Sequence, residues 1–414
     1  MSDWIQASLD ECTDILDHLR VPVNEEERSR APGYTPYYGA NGLQGFIDGW
    51  IFNEPLILLA EDGGYFDQFE TRSVAYKITG KSWVNNHAHI LRPKEGYDFD
   101  FIFYSLEHKN VLPFIRGGTR AKLNQNELRC IKINIPKEVS VQKKISKILQ
   151  ILDQAIEKTE ALIHKYQQIK SGLMHDLFNR GLSADGKLRP PREQAPELYQ
   201  ETPIGWVPKA WDCVPVNDLC LQVVDCPHST PFYQDNGIPC IRTADMVPGQ
   251  LLLDQAYRVS KIDYLKRIQR LTPKQGDIIY SREGERLGIA SPVGEDKVCL
   301  GQRVMLLRPG QEVDQNFLLW SMNLPYFYRR VVKGLGATTS PHVNVGDIKN
   351  IMTYRPPEKE QVFIGKSIKT VQAKLLTEEL YRKKLITQKS GLMHDLLTGK
   401  VPVFIDPEET AHGS

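Results

Sequence analysis

The octapeptide KSGLMHDL occurs at residues 170–177 and returns letter for letter at 389–396, an offset of 219 in a chain of 414 residues. Chance does not place eight consecutive matches in one sequence of this length. The chain is therefore a tandem duplication, and a repeat of this kind constrains architecture before any local signal does. Upstream at the same offset, Tyr166 meets Leu385, Leu152 meets Val371, Leu149 meets Ile368, Ile145 meets Ile364 and Gln142 meets Gln361. The middle has drifted, with Thr159 against Glu378 and Ile163 against Arg382. Further upstream the offset slips by one: Leu123-Asn124 matches Val343-Asn344, and Leu128 matches Ile348. Residues 57–63 (ILLAEDG) resemble 278–284 (IIYSREG), and 84–93 (VNNHAHILRP) resemble 300–309 (LGQRVMLLRP). Each unit opens with a Trp, Trp4 and Trp211.

The segment ending in each octapeptide carries a helical seam. Ile145, Leu149, Leu152, Ile156, Ile163, Tyr166, Leu173 and Leu177 follow alternating steps of four and three, with Thr159 and Lys170 at the two remaining positions. That heptad spacing belongs to a helix packed on another helix. Pro136 precedes the segment and Gly181 stops it. The second seam is Ile364, Ile368, Val371, Leu375, Leu385, Leu392 and Leu396, between Pro356-Pro357 and Gly399. A helix of roughly 40 residues is about 60 Å long and overruns a small domain. The simplest way to cover both stripes is to pack them on each other, antiparallel if a pseudo-two-fold relates the units. The alternative packs each helix on its own globular region alone.

The globular halves mix short β runs (56–60, 131–135, 277–280, 304–307) with helical stretches (101–107, 316–322). The class is α+β: two α/β regions joined by two long helices in an antiparallel coiled coil. The expected boundaries are 1–136, a helix at 137–181, a linker at 182–205, 206–356, a helix at 357–399 and a tail at 400–414. Pro190, Pro191, Pro196, Pro203 and Pro208 mark the linker as extended chain.

A net charge of +1 gives no global polyanion signal, so any basic surface must be local. Seven cysteines without a CxxC do not match a zinc site, and no metal is expected; free thiols of a reducing compartment are. The N-terminus MSDWIQASLDEC is too acidic and polar for a signal peptide, and no apolar run approaches the ~20 residues of a membrane span. A cytoplasmic protein without membrane contact follows.

No catalytic motif survives inspection. Gly365-Lys366-Ser367 resembles the end of a phosphate-binding loop, but Glu360 stands where its first glycine belongs and the run lies inside the heptad. An Asn-Pro-Pro-Tyr tetrapeptide of the amino-methyltransferase kind is absent. His175 and His394, each followed by Asp, are expected to cap or pack a helix end. The loops are richer in groups that address nucleic acid. The first half offers Tyr37, Tyr38, Asn41, Arg116, Thr119, Arg120, Lys122 and Asn124. The second offers His228, Ser229, Thr230, Arg242, Arg282, Arg286, Gln302, Arg303, Thr338, Thr339, His342 and Asn344. Arg reads guanine edges, Asn and Gln read adenine, and Ser, Thr and backbone amides hold phosphates. Taken singly each is an ordinary solvated loop; the Gly-Thr-rich run ahead of Asn124 that returns ahead of Asn344 is the stronger signal.

With these residues in view, the chain resembles the specificity (S) subunit of type I restriction–modification systems. The resemblance covers nearly the whole chain. It rests on the order of globular region, long helix, globular region, long helix. It rests also on YYGANGLQGFIDGWIFNEPLILLAEDGG (37–64), GIPCIRTADM (237–246), GDIIYSREGERLGIA (276–290), IPKEVSVQKKISKILQILDQAIEK (135–158) and KSGLMHDLLTGK (389–400). One departure is internal: the second half lacks a YYGANG-like run. The resemblance implies a non-catalytic reader of double-stranded DNA with two target recognition domains. It also implies two methyltransferase (M) subunits docked on the helices, and restriction (R) subunits. S-adenosylmethionine, ATP and Mg would sit on those partners, with no cofactor in this chain. A different class of reading makes the chain a coiled-coil adaptor whose globular halves bind protein, and salt-dependent DNA binding separates the two.

Overall fold

A computed structural model describes residues 4–116, 121–333 and 341–405. The chain forms two compact units: Met1–Glu160 with Tyr381–Ser414, and Ala161–Leu380. Each is built the same way.

In the first unit, the opening strand Trp4–Ser8 pairs antiparallel with Lys132–Pro136, the strand that feeds the first long helix. Between them lie two four-stranded sheets. One is antiparallel, in the order Thr13–Ile15, Ala88–Pro93, Leu56–Ala60, Ala75–Ile78. The other is ordered Gly42–Ile47, Thr35–Gly39, Lys81–Val84, Phe52–Asn53, with Thr35–Gly39 and Lys81–Val84 parallel. Leu56–Ala60 is buried at every position, as its unbroken apolar run demands. The second unit repeats the plan. Asp212–Pro215 pairs with Met352–Arg355, and Cys220–Asp225, Val304–Pro309, Ile278–Ser281 and Ala290–Pro292 form the antiparallel sheet. Ile238–Ile241 and Cys299–Leu300 supply the parallel pair. The α+β class and the duplication read from sequence are both present.

The long helices run Val139–Asn179 and Glu358–Leu397. In the first unit, Asp153 contacts Lys389 and Glu160 contacts Arg382; one helix advances while the other retreats by the same seven residues. In the second unit, Lys170 bonds Gln372 and Tyr166 lies under Lys374. The helices are antiparallel in both. Seam residues Ile145, Leu149, Ile163, Leu177, Ile364, Ile368, Leu375, Leu385 and Leu396 are buried, and Thr159 fills its seam position at 3% exposure. Leu392 departs from the expected seam: it is 36% exposed, and Met393 takes the buried position.

One side chain fixes where each helix starts. The Gln142 amide is 1% exposed. Its Nε2 donates to the Pro136 carbonyl at 2.8 Å and its Oε1 accepts the Asp98 backbone N–H at 2.7 Å. Asp98 in turn caps the helix Phe99–Glu107 by accepting the Phe101 N–H at 2.9 Å. Gln361 does the same in the second unit, with Pro356 at 2.8 Å and Asp314 at 3.2 Å, and Asp314 caps Gln315–Met322. At the other ends, Gly181 (φ +55) and Gly399 (φ +72) terminate the helices in the left-handed conformation that favours glycine. An added Cβ would strike Trp211 at Gly181 and Trp4 at Gly399.

The Pro-rich stretch is more ordered than extended chain. Tyr199–Thr202 and Gly205–Pro208 form a hairpin, the Tyr199 hydroxyl donates to the Pro190 carbonyl at 2.7 Å, and Arg189 makes a buried bidentate pair with Glu360 at 2.7 and 3.1 Å. Composition marks chain that leaves one core; it does not show such side-chain ties. All seven cysteines are free thiols. Among the described residues no helix is long and apolar enough to cross a membrane.

Replacing Gln142 with Ala deletes two buried hydrogen bonds and strands their partners, a loss of roughly 2–4 kcal/mol. Native-state hydrogen exchange should show faster exchange at Asp98 and Phe101 but not at Asp314 and Phe317. Gln361→Ala should give the mirror result. Unchanged protection at Asp98 in Gln142→Ala would remove the amide bridge from the account.

Candidate nucleic-acid interface

The recurring loop ahead of Asn124 and Asn344 is anchored to the central strand of each antiparallel sheet. The Leu123 N–H donates to the Glu61 carbonyl at 2.8 Å; the Val343 N–H donates to the Arg282 carbonyl at 3.0 Å. An isolated antiparallel bridge follows in both units, Asp62 with Lys122 and Glu283 with His342. Each asparagine then stands at the N-cap of a short helix, Gln125–Arg129 or Val345–Lys349. Neither side chain makes the capping bond. That is unusual for a residue whose preference for the position comes from capping. Both asparagines are exposed. Asn124 makes no side-chain hydrogen bond among the described residues, while Asn344 donates to Asp347 at 3.2 Å and faces His342 at 3.3 Å.

The anchors beneath the loops have opposite charge. In the first unit the centre is acidic. Asp17 and Glu61 surround His89, whose Nδ1 lies 2.6 Å from Asp17 and whose Nε2 lies 2.7 Å from the Leu123 carbonyl. Gln125 donates to Asp17 at 3.1 Å, Lys122 pairs with Glu61 at 2.9 Å, and Arg20 contacts both acids. Burial pushes the Asp17 carboxyl up, but hydrogen bonds from His89 and Ile90 and the Arg20 charge outweigh it and hold the group below its ordinary 3.8. Glu61 is held low in the same way, burial being outweighed by Lys122 and Arg20. Asp17, Glu61 and His89 are close enough to hold a cation, with ligand atoms within 4.8 Å. Those oxygens already accept from side-chain cations.

In the second unit the centre is basic. Arg282, 3% exposed, donates to Asp225 at 3.1 Å and pairs with Glu283 at 2.9 Å. His228 lies 3.0 Å from Asp225, His342 lies 2.9 Å from Glu283, and Arg303 lies 3.7 Å from Glu283. Gln302 donates to the His228 carbonyl at 2.6 Å. Arg303 has φ +67, alone among described non-glycine residues in being left-handed, and its side chain is 58% exposed. Such strain persists only where the surroundings hold it, and it concentrates at functional sites.

The expected residues thus sort by place. His228, Arg282, Gln302, Arg303, His342 and Asn344 converge around Asp225 and Glu283. Lys122 and Asn124 share the corresponding edge of the first unit. Arg116 joins them through its bridge to Lys122 and a 3.1 Å bond to Glu127. Asn41 lies in the tight turn of the 35–47 hairpin and donates to the Gly63 carbonyl at 2.9 Å. Ser229 holds Arg267 through its carbonyl at 2.9 Å, and Thr230 is exposed beside it.

Others stand apart. Tyr37 is 2% exposed, and its hydroxyl donates to the Val23 carbonyl at 2.9 Å, so it acts through packing. Tyr38 packs on Tyr76. Arg242 is paired with Asp245 at 3.0 Å and lies 3.6 Å over Tyr257; Arg286 is engaged by the Ala244 and Met246 carbonyls. Thr119, Arg120, Thr338 and Thr339 lie outside the described residues. His175, 3.3 Å from Asp176, and His394 are both exposed, so neither packs the helix end.

Sequence reasoning passed over the acids. Asp17, Glu61, Asp62, Asp225 and Glu283 order the loops, and the alignment of ILLAEDG with IIYSREG already set Glu61-Asp62 against Arg282-Glu283. It also passed over a polar recess of about 550 Å³ lined by Arg28, Gln44, Asn85, Asn86 and His87, where His87 lies 2.6 Å from Asp62.

Because its folded pKa is depressed, Asp17 contributes stability above its unfolded value of 3.8 and loses it as pH falls through the lower folded value. Asp17→Asn should therefore cost about 3 kcal/mol at neutral pH, where it takes a charged partner from the half-buried Arg20. The deficit relative to wild type should shrink near pH 3.5. Urea unfolding at both pH values checks this; an equal deficit at both would show that the carboxylate's charge is not what matters.

The family model for the type I restriction modification DNA specificity domain matches residues 1–166 and 208–388. A Haemophilus influenzae sequence assigned as a type I restriction enzyme specificity subunit is 39% identical over 144 residues, 35% of this chain and 36% of that protein. The MjaVIII type I restriction enzyme specificity subunit of Methanocaldococcus jannaschii is 24% identical over 408 residues, covering 92% of this chain and 89% of its own length. Among solved structures, the type I restriction-modification system S subunit from M. genitalium superposes with a TM-score of 0.66 at 14% identity, over 97% of both chains. That likeness shows the shared fold.

Proposed function

The chain belongs to the family of type I restriction–modification specificity subunits, and from that premise we propose that it reads a bipartite double-stranded DNA target, one half-site with each unit. The observation that carries this reading is the pair of uncapped, exposed asparagines on equivalent loops, held by anchors of opposite charge. Equivalent placement gives both units the same approach to a groove. Different surroundings give them different base preferences. Asn reads adenine through two hydrogen bonds, and Arg303 has the reach and freedom to read guanine. Lys122, Arg116 and His228 suit phosphates, which position the protein without reading sequence.

The long helices offer a partner surface. Ile151, Leu162 and Ile169 on the first, and Val362, Phe363, Leu380, Tyr381 and Ile386 on the second, are large apolar side chains left in solvent. Such exposure marks an interaction face. Two M subunits docked there would bring S-adenosylmethionine chemistry, and R subunits would bring ATP and Mg, in the cytoplasm where the DNA lies. The chain itself would carry no chemistry: His175 and His394 are exposed residues near helix ends, and His175 has Asp176 at 3.3 Å.

Asn124→Ala should weaken or relax reading of one half-site, and Asn344→Ala or Arg303→Ala the other, each by about 1–3 kcal/mol of discrimination. The methylated motif in cells carrying each variant is the measurement. Equal change at both half-sites from one substitution would defeat the modular reading, and uniform weakening without relaxed sequence would reassign the residue to a phosphate.

The purified chain should show no methyl transfer, DNA cleavage or ATP hydrolysis. Turnover that copurifies with the chain through successive columns and vanishes with a single substitution in it would overturn the non-catalytic reading.

A further inference from the structure

The two copies of the octapeptide begin with lysines whose surroundings differ, and the duplication makes one the control for the other. In the first unit Lys389 is neutralised. It pairs with Glu107 at 2.8 Å and Asp153 at 2.7 Å, and lies 5.4 Å from the Tyr104 ring. In the second unit Lys170 occupies the equivalent place, 4.0 Å over the Trp320 ring. Tyr104 and Trp320 each stand six residues after the capping aspartates Asp98 and Asp314. Both acids have been replaced. Gln372 stands at the position of Asp153 and accepts from Lys170 at 2.7 Å. Asn323, nine residues after its cap as Glu107 is after its own, turns its amide to the Ala290 backbone at 3.0 and 3.1 Å. Among the described residues no carboxylate lies within 4.0 Å of the Lys170 ammonium; Glu379 acts on it from farther away.

This ammonium lines a cavity of about 960 Å³ that belongs to the second unit alone. Met174, Phe178, Leu252 and Leu375 give it an apolar wall, Arg329 adds a second cation, and Glu379 is the one carboxylate among its described lining residues. The size is at the upper end of small-molecule sites, and the apolar wall is interrupted by polar side chains, among them Gln167, Gln250 and Gln372. We propose that this cavity binds a small organic anion, a carboxylate or phosphoryl group on an apolar body, with the anionic group at Lys170 and Arg329. The ligand supplies in trans the charge that Glu107 and Asp153 supply in the first unit. Burial without a paired acid pushes the Lys170 ammonium down to about 8, whereas in Lys389 the same burial is outweighed by Glu107 and Asp153 and the group is held above its ordinary value. The inference does not depend on the DNA-reading proposal, because none of the groups assigned to DNA lines the cavity.

The test is a fluorescence titration of the full chain with 8-anilinonaphthalene-1-sulfonate, an anion on an apolar body, and with the uncharged N-phenyl-1-naphthylamine. Saturable binding of the anion is expected, displaced by octanoate or octyl phosphate and not by octanol. Lys170→Met removes the cation. Gln372→Glu rebuilds the ion pair of the first unit and so retains the fold. Each should weaken the anion by about tenfold or more, as expected for loss of a charged hydrogen bond. The uncharged dye should bind both variants as it binds wild type. Absence of saturable anion binding, displacement by octanol as effective as by octanoate, wild-type affinity for the anion in both variants, or parallel loss of the uncharged dye would each overturn the proposal.

Discussion

A primary amide buried at the root of each long helix holds this architecture in register. Gln142 and Gln361 each join three things: the proline carbonyl at the end of the last strand or just past it, the backbone of a capping aspartate, and the first turns of a helix of 41 or 40 residues. A glutamine suits the position because its amide carries a donor and an acceptor on one planar group. Both are satisfied here, by a carbonyl and an N–H that would otherwise be buried without partners. Leu or Met would fill the volume and leave both backbone groups unpaired. Glu would meet the carbonyl with an acceptor. Few other side chains meet all three demands, which explains why Gln142 and Gln361 match while the helix middles between them have drifted.

The far ends of the helices explain the octapeptide itself. Each compact unit contains the start of one helix and the end of the other. Met393 and Leu396, from the second copy, lie in the core of the first unit; Leu177 and Phe178, at the first copy's end, lie in the core of the second. The glycine after each copy is pressed against the Trp that opens the unit it enters. Two copies of one peptide therefore meet two copies of one receptor formed by the opening strand, the Trp and the helix cap. Packing against a common receptor restrains a sequence more tightly than exposure to a shared partner does, because a change of one methylene in a close-packed site is felt. In the helix middles the match is lost: Thr159, 3% exposed at its seam position, has Glu378 as its counterpart.

Much of this was legible beforehand, for physical reasons that differ by element. The heptad seam was legible because apolar spacing reports directly on which face is covered; Leu392 and Met393 exchanged places because two adjacent apolar residues leave the face undetermined by spacing alone. The strands at 56–60 and 304–307 were legible as apolar runs between turns. The loops were legible only in part. Residue type singled out Asn124, Asn344, Arg303 and His342, but it also singled out Tyr37, Arg242 and Arg286, whose polar atoms are engaged inside their own unit. Sequence does not distinguish a group held for a ligand from one held by its neighbours, because the neighbours are brought by the fold. The acids were missed for a related reason. A carboxylate is the wrong sign for meeting DNA, so residue type did not single out Glu61 and Glu283, although carboxylates are what order Lys122 and Arg303 at these edges.

The opposite charge of Glu61 and Arg282 bears on how one scaffold carries two chemically different edges. Beneath the loop of the first unit an acidic pair is surrounded by Arg20, Lys122 and His89; beneath that of the second, Arg282 is surrounded by Asp225 and Glu283. Both arrangements fix the same backbone, through the same carbonyl-to-amide bond and the same bridge. Backbone placement and side-chain chemistry are thus separable here. An isolated charge change at such a site leaves a buried ion without a partner and is strongly destabilising, whereas exchange of the whole set keeps every ion paired. The anchors are consequently tolerated when they change as sets. Lys122 is held by Glu61 at 2.9 Å and Arg303 lies 3.7 Å from Glu283, so in both units an acid beneath the loop positions a partly exposed cation.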